Sequence, residues 1–192
     1  MSPSRRGEED APGPQGEILQ SCDLQGRPLG PVSRELCHGD PAIVHLVVHL
    51  HVFDPEGRLL LQRRSAHKDL YPGRWDTAVG GHVAAGESVR QALKREALEE
   101  LGLDATAAKP VHDYLHRNEH ESEYVHAFRM LSSGPFLANP EEIDEVQFFP
   151  GVRIETLLGS SLFTPNFEAE YALLRASGVF GHPDSGHDGT RA

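Results

Sequence analysis

Residues 81–103 read GHVAAGESVRQALKREALEELGL, and this stretch decides most of what the sequence predicts. Glu96, Glu99 and Glu100 fall on one side of a predicted helix, because residues three and four apart are neighbours on a helix surface. Three carboxylates in one place repel one another unless cations lie among them. Hard oxygen ligands of this kind suit Mg²⁺ or Mn²⁺. The segment therefore predicts a divalent-metal site on a helix.

The helix is expected to begin near Ser88 and to end at Gly102. Ser88 and Gln91 match the S-x-x-Q capping box, and glycine commonly ends a helix. The predicted apolar stripe consists of Leu93, Ala97 and Leu101. At 100° per residue, Glu96 and Glu100 lie beside that stripe. We therefore expect these carboxylates at the edge of the buried face, whereas a solvated acidic face would lie opposite it.

Segments with strand character surround this helix on both sides. Apolar and β-branched runs predict strands at 18–22, 28–32, 43–53, 58–62, 76–79, 124–131 and 146–149, with a closing helix at 167–176. This order predicts an α/β fold, an α/β/α sandwich around a mixed sheet. The folded domain is expected to span residues 17–180. Residues 1–16 and 181–192 are rich in Gly, Pro and polar groups, which is typical of disordered tails.

Composition excludes several classes of partner. The 192 residues carry a formal net charge of −11, which argues against a nucleic acid polymer because phosphate backbones bind basic surfaces. A small phosphate ligand stays compatible, since local cations override the global sign. The two cysteines, Cys22 and Cys37, match no zinc spacing, and we expect buried, inert thiols.

The N-terminal residues lack the apolar core of a signal peptide. The longest apolar run, 43–53, contains three histidines and is too short to cross a bilayer. We therefore expect a cytoplasmic protein without a membrane partner. A homodimer is compatible with the sequence, which does not fix the oligomeric state.

The 81–103 segment resembles the Nudix box, G-x5-E-x7-R-E-U-x-E-E-x-G-U, in which U is a bulky aliphatic residue. The matching positions are Gly81, Glu87, Arg95, Glu96, Glu99, Glu100, Gly102 and Leu103. The one departure is Ala97, which is smaller than the usual aliphatic residue. The resemblance implies a Nudix fold and hydrolysis of a diphosphate linkage with Mg²⁺ or Mn²⁺.

The same resemblance implies individual roles. The three helix carboxylates would bind the metal, and one of them would be the base that activates water. The Gly81 carbonyl would be a further ligand. Arg95 would pair with Glu87 and hold the loop onto the helix.

Residues 38–165 also resemble isopentenyl diphosphate isomerase, an enzyme with the Nudix fold. The segment RRSAHKDLYPGRWD, residues 63–76, follows the K-x-x-x-P-G-x-W pattern of that family. The resemblance implies that Arg64 and Lys68 bind diphosphate. It also implies a second metal site of three histidines and two glutamates, formed by His38, His45, His82, Glu119 and Glu121.

Two departures separate this chain from the isomerases. Gly80 stands where the isomerase has its catalytic cysteine, and Ser161 stands where it has a tryptophan that shields a cation. Isomerases also retain only the carboxylate that matches Glu100. We therefore interpret the chain as an isomerase-related hydrolase of a small diphosphate, such as a nucleoside diphosphate derivative or a nucleotide. The alternatives are an isomerase and a non-catalytic nucleotide-sensing module.

Plain structural roles compete with some of these assignments. His45, His49 and His51 alternate, so they share one face of a strand and could simply form a hydrogen-bonded or exposed face. Glu119 and Glu121 lie in HRNEHESE, which is typical of a solvated hairpin. Trp75 is expected in the core.

Overall fold

The computed structural model describes residues 16–68 and 70–179. The predicted tails lie outside this part of the chain, apart from Gly16. The strands are β1 Ile18–Cys22, β2 Pro28–Ser33, β3 Val44–Phe53, β4 Leu59–Arg64, β5 Trp75–Thr77, β6 Val79–His82, β7 Lys109–Arg117, β8 Ser122–Leu131 and β9 Ile143–Phe149. The helices are α1 Arg34–Gly39, α2 Val89–Leu101, α3 Gly151–Leu157 and α4 Pro165–Ala176.

Strand β3 organises the mixed sheet. It pairs in parallel with β8 along its whole length, from Val44↔Ser122 to Phe53↔Leu131. It pairs antiparallel with β1 and with β6. Strand β4 continues the sheet to β5 and β9. The predicted α/β class is confirmed, since helices flank a sheet that contains both parallel and antiparallel pairs.

Two apolar cores lie on opposite faces of this sheet. Alternate residues of β3, such as Leu46 and Leu50, pack with α2 in the first core. Phe53, one of the intervening residues, packs with α4 in the second core. Because side chains of a strand alternate between faces, His45, His49 and His51 point away from α2. This alternation gives the sandwich its two distinct layers and leaves three histidines on the α4 side.

Helix α2 matches the prediction closely. Ser88 is its N-cap and forms the capping box with Gln91, and Gly102 ends it in the left-handed conformation with φ of 62°. The predicted stripe residues Leu93, Ala97 and Leu101 are completely buried. Helix position and orientation are therefore fixed by local sequence signals and by one apolar face.

Several elements were not predicted. Helices α1 and α3 are one to two turns long, which leaves too little sequence for an apolar period. Strand β7 has the polar sequence KPVHDYLHR and is held by its pairing with β8. Helix α4 begins at Pro165, two residues before the predicted start, because Thr164 caps it.

The remaining expectations on burial agree with the structure. Cys22 and Cys37 are buried free thiols. Burial raises the pKa of Cys22 to about 12 and that of Cys37 to about 11, so both are protonated and unreactive at neutral pH. Trp75 is buried in the second core. Among the described residues, no helix has the length and apolarity needed to cross a membrane.

Candidate active site

A cleft of about 700 Å³ lies beside α2 and contains most of the predicted site residues. Strand β6 forms its floor with Gly80 and Gly81, which have no side chains to fill it. The predicted residues in its lining are His38, Arg64, Lys68, Gly81, His82, Arg95, Glu96, Glu99, Glu100 and Glu121. The fold therefore brings together residues that are up to 83 positions apart in the sequence, from His38 to Glu121.

Arg95 joins the loop before α2 to the helix, as the resemblance implied. Its Nε and Nη2 donate to the two carboxylate oxygens of Glu87 at 3.0 and 2.9 Å. Nη2 also donates to the His82 carbonyl at 2.9 Å, and Nη1 donates to Glu96 at 2.6 Å. Hydrogen bonding to Glu87 raises the pKa of Arg95 and keeps this cation charged. Arg95 therefore connects β6, the loop and the helix in one polar network.

Gly81 is required by the close approach of Glu96. A Cβ atom at position 81 would lie 2.1 Å from Glu96 Cδ and 2.4 Å from Oε1. Any side chain here would displace the Glu96 carboxylate from the cleft. The backbone of β6 is thereby exposed to the same space as the helix carboxylates.

The substitution Gly81→Ala is expected to destabilise the protein by about 1–3 kcal/mol, because overpacking forces Glu96 and β6 apart. It is also expected to lower activity by displacing Glu96. Urea unfolding measures the first effect. The matched control is Gly30→Ala, where an added Cβ meets no atom within 4 Å. Equal unfolding free energies for the two variants would contradict this reading of the contact.

The helix carboxylates differ in burial. Glu100 is 7% exposed and accepts a hydrogen bond from Gln62 Nε2 at 3.1 Å, whereas the Glu99 side chain is 56% exposed. Burial, reinforced by the neighbouring Glu96, raises the pKa of Glu100 to about 8. Burial also raises the pKa of Glu96 to about 7, although Arg95 opposes the shift. The carboxyl groups of Glu96 and Glu100 are therefore partly protonated near pH 7 when no cation is bound.

The three helix carboxylates do not converge on one point. Within residues 16–68 and 70–179, no set of three ligand atoms closer than 4.8 Å includes them. Arg95 holds Glu96 and Glu99, and Gln62 holds Glu100 on the side facing the sheet. The prediction of three neighbouring acids on one helix edge is met, while their assembly as a ligand set stays a prediction.

A second cluster combines three histidines, two of which, His38 and His82, line the same cleft. His38 Nε2 lies 3.2 Å from His82 Nε2, and the ring centres of His38, His45 and His82 are 5.2 to 5.6 Å apart. Ligand atoms of these three residues lie within 4.8 Å of one another. A second overlapping group consists of His45, Glu121 and Glu123. Because His45 belongs to both groups, three imidazoles and two carboxylates surround one space.

Glu123, and not Glu119, accompanies Glu121 in this cluster. Glu119 is exposed in the turn between β7 and β8, and the structure does not bring it to the histidines. Glu123 is buried and lies opposite His45 in the parallel pair of β3 and β8. The structure thus places Glu123, four positions after Glu119, in the place predicted for Glu119. The physical reason is where β8 begins: Glu119 lies in the turn before Ser122, whereas Glu123 lies within β8, opposite His45.

The donor set of the second cluster fits a divalent cation. Both ring nitrogens of His45 and one oxygen each of Glu121 and Glu123 are buried without a hydrogen-bond partner. Burial lowers the pKa of His45 to about 4 and lowers the pKa of His38 and His82. Neutral imidazoles are the form that binds metals. These residues could therefore hold Mg²⁺ or Mn²⁺, with nitrogen and oxygen ligands together.

The two predicted diphosphate-binding cations are both in the cleft, but each is already paired. Arg64 Nη1 lies 3.5 Å from an Asp76 oxygen, and Nε donates to the Leu70 carbonyl at 3.0 Å. Lys68 forms an ion pair with Glu142. An incoming phosphate must therefore share or replace these partners.

Sequence reasoning missed two residues of the cleft lining, Gln62 and Glu123, and one residue behind it, Glu170. Glu123 follows Glu121 with the alternation of a strand, but Glu119 fits the same alternation, so no local pattern selects Glu123. Gln62 contacts Glu100 from β4, and no local pattern marks it. Glu170 on α4 contacts His49 and His51, a pairing across more than 100 positions that only the fold reveals.

Comparisons with known proteins agree with this geometry. A family model described as NUDIX domain matches residues 44–160. The chain is 32% identical over 155 residues to an isopentenyl-diphosphate Delta-isomerase of Clavibacter michiganensis subsp. michiganensis, covering 78% of each chain. It is 33% identical over 129 residues to an uncharacterized Nudix hydrolase of Listeria innocua, covering 66% of this chain and 76% of that one.

A solved structure from Deinococcus radiodurans shares the fold. Its TM-score is 0.71 at 22% sequence identity, and the match covers 84% of this chain and 99% of that chain. The family model spans more than half of the chain, and the relatives are similar over most of their length. On these grounds the chain belongs to the Nudix family.

Proposed function

We propose that the protein is a divalent-metal-dependent hydrolase of a diphosphate linkage. The substrate is a small molecule, a nucleoside diphosphate derivative or a nucleotide. The observation that carries this proposal is the complete set Glu96, Glu99 and Glu100 on the cleft edge of α2. All three acids line the cleft, where Arg95 and Gln62 hold their carboxylates at the edge of the ligand space.

The residues of the chain divide the work of hydrolysis. The helix carboxylates would hold Mg²⁺ or Mn²⁺, which would supply Lewis acidity and a lowered pKa of bound water. One of the three helix carboxylates would be the base that accepts the proton of the attacking water, since all three line the cleft. Arg64 and Lys68 orient the phosphoryl oxygens. Arg95 fixes the loop and Glu96, so that the base keeps its position.

A second candidate function is isomerisation of isopentenyl diphosphate. The cluster of His38, His45, His82, Glu121 and Glu123 and the names of several relatives favour it. Position 80 opposes it, because glycine offers no proton-transfer group there. Ser161 opposes it as well, since it is exposed and presents no aromatic face to a carbocation.

A substrate screen tests the proposed function. Purified protein with Mg²⁺ or Mn²⁺ is incubated with nucleotides, sugar nucleotides and prenyl diphosphates, and released phosphate or monophosphate is measured. Turnover of at least one nucleoside diphosphate compound is expected. Absence of metal-dependent turnover across the whole panel would contradict the proposal and favour the non-catalytic module.

The second cluster predicts a residue-specific effect on metal binding. Glu123→Gln is expected to weaken Mn²⁺ binding at least about tenfold, because it removes a charged ligand from the space around His45. Isothermal titration calorimetry with Mn²⁺ measures it. The matched control is Glu119→Gln, four residues away and exposed, which is expected to change the affinity less than about twofold. If Glu119→Gln weakens Mn²⁺ binding and Glu123→Gln does not, then Glu119 is the ligand, as the sequence predicts.

A further inference from the structure

His49 on β3 lines the cleft and contacts Glu170 on α4. Neither residue belongs to the helix carboxylates or to the histidine cluster. His49 Nδ1 lies 2.8 Å from Glu170 Oε2, and Glu170 is 1% exposed. His49 belongs to the cleft lining, whereas Glu170 lies behind it. A carboxylate only accepts hydrogen bonds, so Nδ1 carries the proton of this bond. The tautomer and the ring plane of His49 are thereby fixed from behind.

The glycine at position 80 leaves the other edge of this ring open. Gly80 lies opposite His49 in the pairing of β3 and β6. A Cβ atom at Gly80 would lie 3.3 Å from His49 Nε2 and equally close to Cδ2. Any larger side chain would therefore crowd the ring edge. The space that this glycine leaves belongs to the cleft, which both residues line.

Charged groups around His49 favour its imidazolium form. Burial opposes the charged form, but Glu170, with Glu123 on β8 and Asp76 on β5, raises the pKa of His49 to about 9. The other titratable neighbours are His51 on β3, His112, Tyr114 and His116 on β7. In this form Nε2 is a donor as well as Nδ1.

We propose that His49 is a substrate-binding residue whose Nε2–H donates a hydrogen bond to a phosphoryl oxygen of the substrate. Glu170 is the positioning residue that orients it. This inference rests on the proposed diphosphate substrate. It adds a cation to the cleft that differs from Arg64 and Lys68, because its carboxylate partner contacts Nδ1, while Nε2 lies on the side of Gly80, which lines the cleft.

Matched asparagine variants on β3 test the assignment. Asparagine retains the donor that corresponds to Nδ1 and lacks Nε2, so His49→Asn removes the proposed contact with substrate together with the ring and its charge, and the control must lose the same ring. His51→Asn is the matched control, since His51 touches the same Glu170 at 3.2 Å but does not line the cleft. Glu170→Gln tests the positioning role. The probe is inorganic pyrophosphate with Mn²⁺, measured by isothermal titration calorimetry.

The expected Kd for pyrophosphate rises about tenfold in His49→Asn, in keeping with the loss of one charge-assisted hydrogen bond. It rises about fivefold in Glu170→Gln and changes less than twofold in His51→Asn. Nitrogen-15 NMR of the imidazole rings is expected to show His49 protonated at both nitrogens in the wild type and at one nitrogen in Glu170→Gln. Equal effects of His49→Asn and His51→Asn on Kd, with equal losses of Tm, would overturn the inference in favour of a structural role.

Binding without turnover separates this inference from the proposed function. If the wild type hydrolyses no diphosphate compound but loses pyrophosphate affinity in His49→Asn, the hydrolase proposal fails and the His49 assignment stands. If hydrolysis is observed and His49→Asn binds pyrophosphate like the wild type, the His49 assignment fails alone. A wild-type protein that does not bind pyrophosphate at all also overturns the assignment.

Discussion

Glu100→Gln is expected to lower kcat for a diphosphate substrate at least about a hundredfold while the protein stays folded. The substitution keeps the shape and the hydrogen bond from Gln62, but it removes a negative charge that would bind the metal and accept a proton. Steady-state phosphate release measures kcat, and circular dichroism verifies the fold.

The control for this substitution is Glu145→Gln. Glu145 lies on β9 beside Arg63, about half exposed, and does not line the cleft. We expect its kcat to stay within twofold of the wild type. Near-normal turnover in both Glu100→Gln and Glu99→Gln would show that the site has been assigned to the wrong face of α2.

The same substitution is expected to raise the Tm of protein treated with EDTA. Burial raises the folded-state pKa of Glu100 to about 8, above its ordinary value of 4.5. The folded protein therefore binds this proton more tightly than the unfolded chain, and stability falls as pH rises from about 4.5 to about 8. Glutamine carries no such penalty. The gain in Tm over wild type should be larger at pH 9 than at pH 5, and a gain independent of pH would contradict the account.

Arg95→Ala is expected to damage stability and activity together. The loss of its guanidinium leaves Glu87 without its partner and leaves the His82 carbonyl without a donor. We expect a loss of about 2–4 kcal/mol in unfolding free energy, because a partly buried charge is left uncompensated. We expect kcat to fall at least about a hundredfold, because Glu96 loses its anchor.

Two further substitutions make this result specific. Lys94→Ala removes an exposed cation from the neighbouring position on α2 and is expected to leave both quantities nearly unchanged. Arg95→Lys keeps the charge but not the fork geometry, and an intermediate loss is expected. Unchanged melting temperature and kcat in Arg95→Ala would show that the network has no structural or catalytic role.

Helix α2 was predictable because its signals are local. Ser88, Gln91 and Gly102 mark its ends within 15 residues, and the stripe through Ala97 gives its buried face. The strand β3 was likewise evident from its β-branched and apolar residues. These elements carry the family resemblance, so the fold class followed from them.

The polar side of the cleft depends on contacts that are distant in sequence. Strand β7 looks solvated by composition, yet pairing with β8 makes it part of the sheet. The displacement from Glu119 to Glu123 is set by the register of β8 against β3, which no short motif specifies. Glu170 reaches His49 across 121 positions, and nothing near it in the helix marks that role.

Hydrolysis of a diphosphate by this protein is tested most directly by separating and quantifying its reaction products. The purified protein is incubated with Mg²⁺ or Mn²⁺ and, in parallel, with nucleoside diphosphate compounds and isopentenyl diphosphate, and products are separated and quantified. Release of phosphate or a monophosphate from a nucleoside diphosphate compound is expected, without formation of dimethylallyl diphosphate. Formation of dimethylallyl diphosphate at a rate that equals or exceeds any hydrolysis would contradict this expectation.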